Sequence, residues 1–460
     1  MRKPILPLIL ICLMVAGIFA LQQAKISIDL KSGDKQSSAA SEGINPSVPG
    51  STDPVDVAAG PTAPPLPTEV PTIEPSPTRQ AIPDALQTQI NWIESGAARL
   101  RGLDPLDTVP ETFLTRAQFR EQYVKEMQQS LPLDEVRQYL EQLWMLRLVA
   151  DPSINFYEVS ADLGSDGILG YYDHIKKELF VITDKLQLDP EAQVTLAHEY
   201  VHSLQDQHYK LKKIWPVGST DQDRSMAIRS LVEGDATLSG YGWAANFMTG
   251  KDFRSLFDQK TLSQDVKVKT PPYLGISTIF PYTAGPEFVG KIMQVGGFST
   301  VNLALQDPPR STEQIMHPEK FLQVPIDQPK TVTLPDLSEP LGEGWELKET
   351  NTLGEFDLNI MLQENGAGDP DRGADGWGGG KFAMYKLAQE VMVYTSVVWD
   401  TENDASEFEG AMGETFTKMP MDGPFRTDAG RYFYMVRGGK KVTFIASTNK
   451  PALERVVAAK

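Results

Sequence analysis

Apolar residues recur at helical spacing in the front half of the chain. Ile90, Ile93, Ala97 and Leu100 mark one face of a helix starting near Asp84, and similar periodicity predicts helices over 115–129 and 132–149. Between 167 and 183 the spacing shortens to two, which predicts strands at 168–172 and 178–182 around a turn at Asp173-His174. Asp189-Pro190-Glu191 is a helix-start signal, and beyond it Val194, Leu196, Ala197, Val201 and Leu204 give the next helix an apolar side. A second strong helix is predicted over 223–248, with shorter ones at 286–294, 300–306 and 311–317. From Thr331 the pattern turns strand-like, at 381–385, 390–399, 431–436 and 441–447, with helices at 402–418 and 451–459. Runs of helices followed by runs of strands predict an α+β chain. Its parts are a helix-rich domain over 84–330 with a small mixed sheet, and a smaller α+β domain over 331–460 with an antiparallel sheet.

The first 83 residues read differently. Arg2 and Lys3 precede an apolar run over 5–21, so 1–24 fit an export signal or an uncleaved membrane anchor. Residues 25–83, rich in Pro, Ser and Thr, bury too little apolar surface to fold and are expected to form an extended linker. These segments predict an exported protein of the cell envelope or exterior, touching membrane only through its N-terminal segment. Cys12, the only cysteine, lies in the apolar run, so the folded part has no disulfide. A formal net charge of −18 in 460 residues argues against a nucleic-acid partner. The run Gly378-Gly379-Gly380 lacks the Gly-Lys-Ser/Thr ending of a phosphate loop and is expected to be a turn or a flexible approach to a strand.

Chemistry concentrates in His198-Glu199-Tyr200-Val201-His202, an H-E-x-x-H string on the helix begun at Asp189. Residues four apart lie about 40° apart around a helix axis, so both imidazoles can face one metal. Glu199, about 100° from His198, reaches a metal-activated water without ligating the metal. Two neutral nitrogen ligands and a carboxylate base are the parts of a zinc-dependent hydrolase.

A third protein ligand is required, and two candidates exist. Glu233, thirty-one positions after His202, sits on the following helix among small neighbours. His208 has the spacing of the extended motif H-E-x-x-H-x-x-G-x-x-H, but Gln205 stands where that motif turns on glycine. If the helix continues, His208 is about 280° from His198 and faces away, which favours Glu233. Asp206 and Asp235 are candidates to orient an imidazole N–H. His317, ahead of Pro318, and Tyr282, between Pro281 and Thr283, are candidate donors to the oxyanion that forms when a peptide carbonyl is attacked.

Residues 195–209, with Leu231-Val232-Glu233-Gly234-Asp235-Ala236 and the later Arg310-Ser311-Thr312-Glu313-Gln314 and His317-Pro318-Glu319-Lys320, resemble gluzincin-type zinc metallopeptidases, particularly uncharacterised exported bacterial proteins of that type. The resemblance implies a zincin-like core, zinc held by His198, His202 and Glu233, Glu199 as general base, and a peptide or protein substrate. Where the thermolysin-like arrangement has an orienting Asp, four residues after the ligand Glu, this chain has Thr237. Two rival readings are a catalytically inactive scaffold of the cell envelope that keeps the fold, and a zinc amidase acting on modified peptides.

Overall fold

A computed structural model of the chain describes residues 82–165, 168–214, 221–257 and 270–459. The expected signal or anchor, and all but the last two residues of the expected linker, lie outside the described residues. In chain order the front part comprises α1 (Asp84–Arg101), β1 (Glu111–Leu114), α2 (Arg116–Ser130), α3 (Leu133–Met145), α4 (Phe156–Ser165), β2 (Gly170–Asp173) and β3 (Glu178–Ile182). There follow α5 (Pro190–Tyr209), α6 (Gln222–Phe247), α7 (Pro272–Gly296), α8 (Phe298–Gln306), α9 (Thr312–Met316) and α10 (Pro318–Leu322). The rest comprises β4 (Glu346–Thr352), α11 (Glu355–Glu364), α12 (Pro370–Ala374), β5 (Trp377–Leu387), β6 (Glu390–Trp399), α13 (Glu402–Phe416), β7 (Met421–Asp422), β8 (Phe425–Asp428), β9 (Arg431–Gly438), β10 (Lys441–Ser447) and α14 (Lys450–Ala458).

The chain is α+β, with one small mixed sheet and one large antiparallel sheet. In the small sheet the order is β1-β3-β2, β1 running parallel to β3 and β2 antiparallel to it. The large sheet has the order β4-β5-β6-β10-β9-β8-β7, all pairs antiparallel. A contiguous apolar core runs from Phe119 and Leu140 through Phe288 and Val289 to Trp399 and Phe444, so the front helices pack directly on the C-terminal sheet. A second cluster joins α1, β3 and α5 through Ile90, Ile93, Leu179, Val181 and Val201.

Local signals account for most element ends. Asp189 accepts the N–H of Ala192 and Pro190 fills the first turn, which starts α5 where the sequence placed it. Thr115 caps α2 in a capping box with Gln118. The chain leaves α3 at Met145, short of the expected end near 149, because Arg147 takes a left-handed φ of 61°. The remaining apolar residues, Leu148 and Val149, are buried beyond the helix.

Two expectations are corrected. The helix predicted over 286–294 is the end of α7, which begins at Pro272 and carries Pro281 and Pro286 inside it. Proline normally ends a helix, but tertiary packing overrides it here, and Thr283 Oγ1 bonds back to the carbonyls of Ile279 and Phe280. Gly378-Gly379-Gly380 is not a turn but part of β5, buried beneath the Lys330 segment. A Cβ on Gly379 would stand 2.4 Å from the Lys330 carbonyl oxygen, and one on Gly380 2.2 Å from that of Leu353, so only glycine admits this approach.

Candidate metal centre

The H-E-x-x-H helix α5 lies between α1, α6 and the small sheet. It is buried almost all round from Val194 to Asp206, so its polar residues cannot rely on solvent. Their partners are supplied from three directions.

The first is α6, which crosses α5 at Gly240; a Cβ there would come within 3.3 Å of the His198 Cβ. This closeness brings Glu233 to both histidines. Its Oε2 lies 3.4 Å from His198 Nε2 and 3.2 Å from His202 Nε2, and the two Nε2 atoms are 2.9 Å apart. Around a tetrahedral zinc with bonds near 2.05 Å, ligand atoms would stand about 3.3 Å from one another. The three atoms therefore converge at the spacing such an ion requires, and two imidazoles with one carboxylate are a donor set suited to zinc.

The second is α5 itself. His202 Nδ1 lies 2.8 Å from Gln205 Oε1. The Gln205 amide is oriented by donating from Nε2 to the Val232 carbonyl at 3.0 Å and to Asp235 Oδ2 at 2.8 Å. With its oxygen thus toward His202, Nδ1 carries a proton, and in the neutral ring the lone pair falls on Nε2, toward the cluster. Asp235 is in turn paired with Arg101 Nε at 2.6 Å, both side chains wholly buried. Asp235 therefore orients the imidazole through Gln205 rather than directly. Asp206 does not reach either imidazole: it accepts from the Tyr172 hydroxyl at 3.0 Å and pairs with Lys177.

The third is the small sheet. Edge strand β2 gives the Tyr172 backbone N–H to Glu199 Oε2 at 2.7 Å, so the carboxylate is held beside the histidines and outside their convergence. Gly170 makes room, since a Cβ there would meet the Phe180 carbonyl oxygen at 2.9 Å.

Mutual electrostatics separates these groups. Burial pushes Glu199 up to about 7 against the pull of His202. Burial, helped by the neighbouring His202 charge, pushes His198 down to about 4, although Glu233 opposes it. His202 is pushed down by burial but held up, to about 9, by Glu233, Glu199 and Gln205. Burial acts to raise Glu233, yet the two imidazoles outweigh it and hold the carboxyl well below the usual range.

Tyr282 joins the group and His317 does not. The Tyr282 ring lies 6.5 Å from that of His198, nearly parallel at 25°. It arrives there because α7 crosses α6 at two glycines, where a Cβ on Gly234 would stand 2.4 Å from the Gly285 carbonyl oxygen. Burial and the Glu233 charge push its hydroxyl well above the ordinary value, so it remains a donor. His317 Nε2 bonds instead to Glu355 at 2.8 Å. Its neighbour Thr312 binds Asp223, ten residues before Glu233, or about 15 Å along α6. His208 Nε2 bonds to the Asp104 carbonyl at 2.7 Å on the surface, away from the cluster.

Sequence reasoning missed the roles of Gln205, Arg101 and Arg229. Gln205 lies three residues after His202, a spacing that places side chains side by side on a helix, and that signal was available. Arg229, four before Glu233, had the same signal. Arg101 had none, because only the packing of α1 on α6 brings it to Asp235.

A family model described as a domain of unknown function (DUF8575) matches residues 341–457, which contain β4 to the end of β10 and most of α14. No curated protein matches the chain, and no solved structure does. The matched segment contains Glu355 but neither the paired histidines nor Glu233.

Proposed function

We propose that this is an exported zinc-dependent metallopeptidase of the gluzincin type, with a zincin-like core, acting on peptide or protein substrates outside the cytoplasmic membrane. The observation that carries this reading is the convergence of His198 Nε2, His202 Nε2 and Glu233 Oε2 beside an independently anchored Glu199.

His198, His202 and Glu233 would hold the metal. A zinc ion bound there supplies Lewis acidity to polarise a peptide carbonyl and acidify a water. Glu199 takes the proton from the attacking water and delivers it to the leaving amine, and the Tyr172 N–H keeps its carboxylate on the attacking side. Tyr282 offers a protonated hydroxyl for the developing oxyanion. Gln205 keeps His202 in the tautomer a metal needs. Export rests on the basic-then-apolar start of the sequence.

Elemental analysis and peptide hydrolysis on the purified full-length protein test the proposal together. About one zinc per chain is expected, lost in Glu233→Ala. Glu199→Gln should keep the metal while hydrolysis falls by about 10²–10⁴-fold. A wild-type chain that binds no metal under metal-replete conditions would overturn the reading.

A further inference from the structure

Among the described residues, one buried cation in the site has only a long ion pair. Arg229 is 5% exposed, yet neither its Nε nor its Nη2 has a hydrogen-bond partner. Buried N–H groups that go unmatched are unfavourable, so the Nε and Nη2 edge of Arg229 is a place where an acceptor would bind favourably. The neighbouring carboxylate is Glu233, whose Oε1 stands 4.0 Å from Arg229 Nε, beyond hydrogen-bond reach, while its Oε2 faces the two imidazoles. The guanidinium also lies beside the Tyr282 ring, 6.0 Å from its centroid, so it borders both the candidate ligands and the candidate oxyanion donor.

Which atoms are free narrows the chemistry. Nε and Nη2 form one lateral edge of the guanidinium, and their parallel N–H bonds are the fork that grips both oxygens of a carboxylate. A carbonyl oxygen could take both N–H bonds, but only a carboxylate also matches the positive charge. In a chain of net charge −18, a buried guanidinium edge beside the candidate ligands favours an anion against the overall field.

We propose that Arg229 receives a carboxylate of the substrate next to the bond that is hydrolysed, so that the enzyme favours peptides carrying a free C-terminal carboxylate or an acidic side chain there. This rests on the metallopeptidase reading for the identity of the ligand as substrate; the anion subsite itself rests only on Arg229 and its surroundings.

Calorimetry on the full-length Glu199→Gln protein reads binding without turnover, with three probes: N-acetyl-dialanine, its carboxamide, and the α-amide of N-acetyl-alanyl-glutamate. The free acid, the glutamate amide or both should bind about tenfold or more tightly than the carboxamide, and adding Arg229→Gln should erase that difference. Arg229→Lys, which keeps the charge but not the fork, should lose most of the preference while folding, and is the control if the glutamine variant does not fold. If only the glutamate amide gains, the carboxylate is a side chain; if only the free acid gains, it is the C-terminus; if both gain, the subsite takes either, and each result supports it. Equal binding of all three probes, or no binding of any probe, overturns the proposal. So does an Arg229→Gln protein that loses metal and weakens all probes alike, which would make Arg229 a positioning residue for Glu233. A protein without metal that still prefers the acid would keep the subsite and sink the metallopeptidase reading instead.

Discussion

Among the described residues, two groups of histidine and carboxylate bring their ligand atoms within 4.8 Å of one another, His198-His202-Glu233 and His317-Glu355-Asp375, yet they are built differently. In the first, all three residues are buried, and the crossing of α5 and α6 puts two ring nitrogens and one oxygen face to face. A separate hydrogen bond to Gln205 fixes the proton of His202 on the far side of its ring. In the second, the single imidazole is 27% exposed and spends its Nε2 on Glu355, while Asp375 stands 3.8 Å away and is 64% exposed. Nearby carboxylates are met by lysines, Lys320 holding Glu313 and Asp400, and Lys330 also holding Asp400. The residue types are alike, but one group turns its ligand atoms on one another in a buried helix crossing and the other uses them to join the front helices to the C-terminal unit.

The comparison breaks most sharply at Gln205. Gln205→Ala removes the partner of His202 and leaves Asp235 and Arg101 paired with each other, so the fold should survive while metal affinity drops about 10–100-fold, measured by competition with a chelator. Unchanged affinity would mean that the hydrogen bond orients nothing.

His317→Ala probes the other group and should act on stability alone, by about 1–3 kcal/mol for a hydrogen bond between charged partners, with metal content unchanged. Its pH dependence has a definite sign. The Glu355 hydrogen bond raises His317 above its ordinary 6.5, and burial raises Glu355, so the folded form binds more protons than the unfolded one at both groups. The His317 part of that contribution is complete below pH 6.5 and lost as pH rises through its folded value. Thermal melts across pH 5–9 should therefore show the variant and wild type converging toward alkaline pH. A constant gap would assign the loss to packing.

Much of this architecture was legible because it is local. The His198 and His202 spacing, the Asp189 cap, and the strands 390–399 and 441–447 follow from neighbours along the chain, and the structure has them at those positions. Glu233 was found because the small residues after it signalled a close crossing. What escaped depends on partners far away in sequence. α7 runs through two prolines because α6 packs along it, and β1 is a strand because it lies parallel to β3, some sixty-eight residues later. β4 and α11 carry polar residues facing the body of the protein, such as Asn351 and Glu355, which disguises their periodicity. His317 has the chemistry of a catalytic donor, and only its distance along α6 from Glu233 shows that it serves another junction.

The smallest effect should come from His208→Ala, and it bears on which plan the metal centre follows. His208 would be the third ligand only if the chain turned back after His202, which needs a residue at 205 that accepts a left-handed backbone. Gln205 instead stays helical, and α5 continues to Tyr209 before Lys210 takes the left-handed φ of 61°. That places the turn five residues too late for His208 to point at the cluster, and its imidazole is spent on the Asp104 carbonyl. Removing it should leave metal content and hydrolysis at wild-type levels and loosen only the end of α5, by less than about 1 kcal/mol as for other exposed side-chain changes. Loss of the metal in this variant, with retention in Glu233→Ala, would show that the helix unwinds when the ion binds, and would move the third ligand from α6 to the end of α5.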